Sequence, residues 1–351
     1  MERSYNERSL TGLLGSHPLG DRAMIRTKWT LVFAALLLAA LPALMVARAA
    51  RSQASQANSA EKKSNQTLKV DVDLVLVNAT VTDQLNRYVS GLEEQHFQIW
   101  EDKVEQKVEY FNAEDVPISV GIIFDVSGSM KEKIGTSTQA AATFLKTGNP
   151  DDEYFLVTFA NRPEVIADFT TDVTKLQSKL LMSAAKGMTA MYDSVYLGLE
   201  KLKEGTNPKK ALLLITDGED NRSRYTFQNV KDFVKEQDVQ IYAIGIVDEY
   251  NSQLSAGHTG RAMIEELADL TGGRAFFPDS VQELEDICTK IAVELKNQYV
   301  IGYHSTNGVK DGKWRKLRVK VNPPKGIQRL NVRAKSGYFA PTADAAPTTK
   351  D

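Results

Sequence analysis

Two apolar runs, each ending on an aspartate, constrain this chain more than any other feature. Ile118–Asp125 reads ISVGIIFD and Leu212–Asp217 reads LLLITD. Both are rich in aliphatic residues and lack a polar alternate face, so each reads as a strand covered on both sides. Strands of this kind belong to a parallel sheet with helices on both faces.

The chain around these runs supports that architecture. Strand patterns fall near 118–125, 153–160, 163–169, 210–217, 239–246 and 274–277. Helical periodicity falls between them, near 134–147, 172–184, 190–204, 226–237, 261–271 and 280–296. Such alternation predicts a doubly wound, mostly parallel α/β sheet. The pair flanking Asn161-Arg162 reads as a hairpin that adds one antiparallel edge strand. Asp172, Thr226 and Ser280 stand at N-cap positions, and Gly272-Gly273 stands where a helix should stop.

The first aspartate opens a short cluster of oxygen donors. Asp125 is followed by Ser127 and Ser129, with Gly128 between them. At the carboxyl end of a buried strand these side chains sit where open α/β folds place their ligands. Their hard oxygens suit Mg²⁺ better than a soft metal. The alternative is a strand-to-helix turn whose serines cap the next helix. Gly187-Met188-Thr189 offers a further hydroxyl ahead of a helical pattern, and Asp217 is followed by Gly218, Glu219 and Asp220. Lys131 and Lys133 read as a solvated helix start, with lining of the site's rim as the alternative.

The three stretches in order, VGIIFDVSGSM, GMTAMYDSV and ALLLITDGED, resemble the metal-ion-dependent adhesion site of von Willebrand factor A domains. The resemblance implies that Ser127, Ser129 and Thr189 bind the metal directly. It implies that Asp125 and Asp217 bind directly or through water. It also implies a mode of recognition in which a partner's Asp or Glu completes the coordination of Mg²⁺ or Mn²⁺, with Ca²⁺ possible. Phrases outside this segment (VDLVLVNATVTD, LEEQHFQIWEDK, QYVIGYHSTN, SGYFAP) resemble VWFA-related proteins abundant in acidobacteria, so the resemblance spans about 68–341.

The flanks carry strand signals without helices. Residues 70–78 alternate at their start, and 97–102 and 104–111 read as two strands around a tight turn. Downstream, 298–303, 314–321 and 328–334 are strand-like. In 314–321 the apolar face is assigned to Trp314, Leu317, Val319 and Val321, with a one-residue slip near Arg315. Neither flank has enough strands to cover its own apolar face. The expectation is therefore one β-sandwich split between 67–115 and 297–340, with an α/β domain at 116–296 inserted into it.

The N-terminal region reads differently. Residues 29–47 are uncharged and mostly apolar, preceded by Arg22, Arg26 and Lys28, and Ala47-Arg48-Ala49 has a small-x-small form. The segment reads as a cleaved secretory signal or a retained inner-membrane anchor, with Met24 as an alternative start. Either way export is expected, to the periplasm or medium or to an outward-facing anchored position. Residues 50–66 read as a polar linker and 341–351 as a disordered tail.

Composition narrows the function. A net charge of −2 over 351 residues gives no reason to expect a nucleic-acid partner. The single cysteine, Cys288, precludes an intramolecular disulfide and sits in an apolar helical pattern. The four histidines, His17, His96, His258 and His304, are scattered. No nucleophile elbow, phosphate loop or zinc-protease pattern occurs, so no enzyme is expected. The expected function is metal-dependent protein binding, in adhesion or complex assembly. The alternative is a structural envelope protein whose metal only stabilises loops.

Overall fold

The computed structural model describes residues 74–217, 220–246, 255–326 and 329–342, with the side chains of 255–259 outside the description. The 29–47 segment, the linker, Gly218, Glu219 and residues 343–351 of the tail lie outside it, whereas Thr342 bridges to Asp311. No helix among the described residues is long and apolar enough to cross a membrane.

The chain begins with β1 (Leu74–Thr82), β2 (Phe97–Glu101), β3 (Val104–Gln106) and β4 (Tyr110–Asn112). The central segment follows as β5 (Ile118–Asp125), α1 (Ile134–Thr147), β6 (Glu153–Phe159), β7 (Pro163–Thr170), α2 (Val173–Leu181), α3 (Met191–Leu202) and β8 (Lys209–Thr216). It continues through α4 (Phe227–Lys235), β9 (Gln240–Gly245), α5 (Ser255–Thr271), β10 (Arg274–Phe276) and α6 (Leu284–Lys296). The closing strands are β11 (Tyr299–His304), β12 (Trp314–Val321), β13 (Asn331–Ala334) and β14 (Gly337–Phe339).

The central sheet runs β10-β9-β8-β5-β6-β7, parallel throughout except for β7 at its edge. All eight residues of β5 are buried, which explains its unbroken apolar run. Alternate side chains feed two cores. Ile122 and Phe124 pack with Phe144 of α1 and with Cys288 and Ile291 of α6. Ile123 packs on the opposite face with Val195 and Leu199 of α3 and Val230 of α4. Gly198 lets α3 lie close on the sheet, since a Cβ there would stand 2.6 Å from Ile123 Cδ1. Thr226 caps α4 through a reciprocal pair with Asn229, and Asp172 accepts from the Lys175 amide at the start of α2. Ser280 departs from expectation: it precedes a short 3₁₀ turn and its side chain caps no backbone amide.

The flanks assemble into two four-stranded sheets, β13-β1-β11-β4 and β14-β12-β2-β3. Each unites strands from before and after the inserted segment. β1 lies between β11 and β13, and β2 pairs with β12. The 104–111 segment is two strands rather than one: β3 stays beside β2, whereas β4 pairs with β11 in the other sheet. The crossover between sheets at 107–109 is invisible to a periodicity reading. β14, beside β12, is too short to signal itself.

Arg315 corrects the reading of β12. There is no slip in the pattern: Arg315, Leu317 and Val321 are buried, Val319 half-buried, and Trp314 belongs to the outer face with Lys316, Arg318 and Lys320. The Arg315 and Glu101 side chains are 4% and 2% exposed and meet at 2.9 Å. Glu101 also accepts from Tyr303 (2.8 Å), Tyr338 (2.8 Å) and Ser305 (2.7 Å). A charged residue on a strand's apolar face is thus satisfied by a partner from the other end of the chain.

A second buried carboxylate joins sandwich and insert. Glu294 of α6 is fully buried and accepts from Tyr242 of β9 (2.9 Å), Thr80 of β1 (3.1 Å) and Tyr88 (3.2 Å), and it pairs with Arg333 of β13. Nearby, Gly272 has φ +77°, and a Cβ there would lie 2.5 Å from the backbone of Ala334 and Lys335. Only glycine permits that turn and that approach at once.

Candidate metal centre

The carboxyl ends of β5 and β8 lie side by side in parallel register, with Phe124 opposite Ile215. Asp125 and Asp217 are thereby delivered to the same edge of the sheet. Asp125 is completely buried. Its Oδ1 accepts from the Ser127 amide at 2.8 Å and its Oδ2 from the Thr216 hydroxyl at 2.6 Å. Burial pushes its carboxyl up to about 6, against the opposing pull of the hydrogen bonds from Thr216 and Ser127.

From Asp125 the chain turns into a short 3₁₀ helix, Gly128–Glu132, with Ser127 at its start. The Ser127 side chain makes no cap there. Its hydroxyl lies 3.0 Å from that of Ser129, and Ser129 donates to Asp217 Oδ1 at 2.8 Å. The two serines therefore turn toward each other and toward the second aspartate. The helix-capping alternative does not describe Ser127.

A strap fixes the third stretch. The Gly128 amide donates to Gly187 O at 2.9 Å and the Lys186 amide to Val126 O at 2.8 Å. Gly187 has φ +90° and stands against the Asn161 side chain, which accepts from the Met188 amide at 2.9 Å. Thr189, two residues on, is buried. Its amide donates to Asn221 Oδ1 at 2.8 Å, and its carbonyl accepts from the amides of Asn221 and Arg222 at 3.0 and 3.1 Å. Asp125, Ser127, Ser129 and Asp217 thus form a chain of direct contacts, whereas Thr189 stands outside that chain, two residues beyond Gly187, whose carbonyl accepts from the Gly128 amide.

Two acidic neighbours have other work. Asp220 accepts from the Tyr192 amide at 3.0 Å and from Ser223, anchoring the start of α3. Asp193 accepts from the amides of Arg224 and Tyr225 at 2.9 and 3.0 Å. These bonds hold the 220–225 loop around the Thr189 backbone. Glu219 lies outside the described residues.

Lys133 differs from the solvated helix start expected of it. Its Nζ lies 3.1 Å from Asp217 Oδ2 and donates to Ile246 O at 3.3 Å. The Lys133 and Asp217 side chains are 12% and 1% exposed. Spacing alone could have flagged this residue, because it stands four positions beyond Ser129, a separation that a helical reading of the segment puts on one face.

The donor set is two carboxylates and hydroxyls, all hard oxygens, and so fits Mg²⁺ or Mn²⁺ rather than a soft ion. The histidines are elsewhere: His96 Nδ1 accepts from the Glu93 amide and His304 pairs with Glu109 at 2.8 Å. The His17 and His258 side chains lie outside the described residues. Cys288 is buried, which pushes its thiol up to about 12.

A "UPF0353 protein" of Mycolicibacterium gilvum is 23% identical over 229 residues, covering 58% of this chain and 66% of its own length, just under two thirds of that relative. Similar solved structures include a von Willebrand factor type A protein from Catenulispora acidiphila, at 12% identity and TM-score 0.44, covering 78% of this chain and 74% of that one. The vWF domain of a type V pili tip protein from Porphyromonas gingivalis is 13% identical at TM-score 0.41, covering 52% of this chain and 97% of its own. An aerotolerance-related membrane protein from Bacteroides fragilis is 18% identical at TM-score 0.41, covering 51% and 98%. Residues 120–219, which hold most of β5, all of β8 and Asp125, Ser127, Ser129, Lys133, Thr189 and Asp217, match the family profile of the von Willebrand factor type A domain. Over residues 120–219, within the inserted segment, the chain is thus similar to von Willebrand factor type A domains.

Proposed function

We propose that this protein is an exported protein-binding module whose recognition runs through a divalent cation held at the edge of the central sheet. The observation that supports it most is the contact chain Ser127–Ser129–Asp217 beside the buried Asp125, spanning 3.0 and 2.8 Å. Asp125, Ser127, Ser129, Thr189 and Asp217 would hold Mg²⁺ or Mn²⁺, with Ca²⁺ a further candidate. When bound, such an ion supplies a Lewis-acidic position able to accept a partner's Asp or Glu carboxylate. The residues' part is to position and to limit charge. Thr216 and the Ser127 amide hold Asp125 from both oxygens. Neutral hydroxyls fill the remaining donor positions, leaving a bound cation electrophilic. The export reading rests on the apolar 29–47 segment and its basic approach. No catalytic base or nucleophile is assigned.

One observation favours a second reading, a structural role in which charge at this edge only ties loops together. Asp217 is already cross-linked to Ser129 and Lys133 within the chain. Calorimetric titration with Mg²⁺ separates the readings in stages. The proposal expects about one site, lost in Asp125→Ala, and capture of an envelope protein that EDTA abolishes. Unchanged Mg²⁺ binding in Asp125→Ala would remove the proposed donor set. Mg²⁺ binding without any EDTA-sensitive capture would favour the structural role.

A further inference from the structure

The geometry points to Lys133 as a built-in cation that competes with the divalent ion for Asp217 and sets the site's affinity; this rests on the metal-binding reading above. Asp217 has both carboxylate oxygens engaged inside the protein. Oδ1 accepts from Ser129 at 2.8 Å and Oδ2 meets the Lys133 ammonium at 3.1 Å. With 1% of its side chain exposed, Asp217 is a buried carboxylate, and such a charge requires a counter-charge. Lys133 provides it without an external ion. The ammonium is held on its other side by the Ile246 carbonyl at the end of β9, 3.3 Å away. It therefore bridges the strands on either side of the Asp217 loop and is not a mobile surface charge.

Charge counting gives the consequence. Asp125 and Asp217 carry −2 together, and Lys133 reduces that to −1. A divalent ion entering among Asp125, Ser127 and Ser129 meets a positive charge already fixed on the far oxygen of Asp217. Two effects follow. The ion binds more weakly than two carboxylates alone would hold it. Once bound, it keeps more positive charge for an incoming carboxylate, because Lys133 has already consumed part of the charge on Asp217. Lys133 is a positioning residue in this scheme: it acts on Asp217 and touches neither the ion nor the partner.

The test is Mn²⁺ titration of the full chain, with free Mn²⁺ counted by electron paramagnetic resonance, on wild type, Lys133→Met and Lys133→Arg. Removing a unit charge this near a divalent ion should tighten Mn²⁺ binding by at least about tenfold in Lys133→Met, even with surface-like screening. Lys133→Arg keeps the charge and should stay within about threefold of wild type by the same argument. Thermal melting without metal checks folding and gives a second readout. Lys133→Met should melt lower than wild type without metal and recover more on adding Mn²⁺. If Lys133→Met proves unfolded without metal, its titration is replaced by Lys133→Gln, with the same expectation. Equal or weaker Mn²⁺ affinity in a folded, neutralised variant overturns the inference while leaving the metal reading intact. Binding in the variant but not in wild type supports the inference and overturns the metal reading for the natural chain. No binding in either overturns both.

Discussion

Replacing Arg315 with methionine should cost the sandwich about 4 kcal/mol, because a buried ion pair that loses one partner costs roughly 3–5 kcal/mol. The structure supplies the terms. Arg315 Nη1 donates to Glu101 at 2.9 Å, to Ser305 Oγ at 3.2 Å and to the Asn307 carbonyl at 2.6 Å, and Nη2 donates to the Val309 carbonyl. Methionine keeps much of the volume but leaves Glu101 as a buried charge held only by hydroxyls. The double variant Glu101→Leu/Arg315→Met removes both charges and should be less destabilised than the two single losses summed, by about 2 kcal/mol. Urea unfolding is followed by tryptophan fluorescence. Trp100 and Trp314 lie in β2 and β12 and no tryptophan occurs between 116 and 296, so with Trp29 replaced by Phe the signal reports the sandwich. The gap should narrow in acid. Burial pushes the Glu101 carboxyl up, but hydrogen bonds from Ser305, Arg315, Tyr303 and Tyr338 outweigh it and hold the group below the usual range. A carboxyl depressed in the folded state stabilises above its unfolded value and loses that contribution as pH falls through the folded one. Wild type should therefore lose more stability than Arg315→Met below the normal carboxylate range. A cost under about 1 kcal/mol at neutral pH, or strict additivity in the double variant, would refute the account.

Gly272→Ala should destabilise by more than 1–3 kcal/mol, about the cost of overpacking alone, because strain at φ +77° adds to the clash with Ala334; thermal denaturation reads it, and a neutral result would count against the close approach. Cys288, buried with its thiol pushed up to about 12, should resist a thiol-specific reagent in the native protein and react fully in urea; native reactivity would contradict its burial.

The inserted domain was legible because its residues obey one rule at a time. The run Ile118–Phe124 is apolar on both faces and lies mid-sheet, and α1 runs over the residues its periodicity marks. Asp125 and Asp217 were legible as neighbours for the same reason: they stand at the ends of β5 and β8, and register brings those ends to one edge of the sheet. The flanks hid more. Val104–Phe111 has continuous strand propensity, but the chain changes sheets inside it, and a change of partner leaves no periodic trace. The alternation sets Arg315 against the apolar face because charge usually means exposure, and its partner Glu101 stands 214 residues away. The same rule favours a solvated Lys133 over the rim-lining alternative, and its partner Asp217 is 84 residues away. In each case a long-range ion pair overrode a local preference.

The interleaving of the flanks bears on how the chain acquires its shape in time. During synthesis β1 and β2 emerge first, yet β1 waits for β11 and β13 and β2 waits for β12. Joining β1 to β11 across an unfolded intervening chain would carry a large loop-closure penalty and a slow rate. Folding of the α/β insert removes that penalty, since β4 and β11 enter and leave it as paired neighbours. The insert should thus act as a template whose completion triggers sandwich closure. Until then the early strands present unpaired edges, the state in which a nascent chain most needs a chaperone.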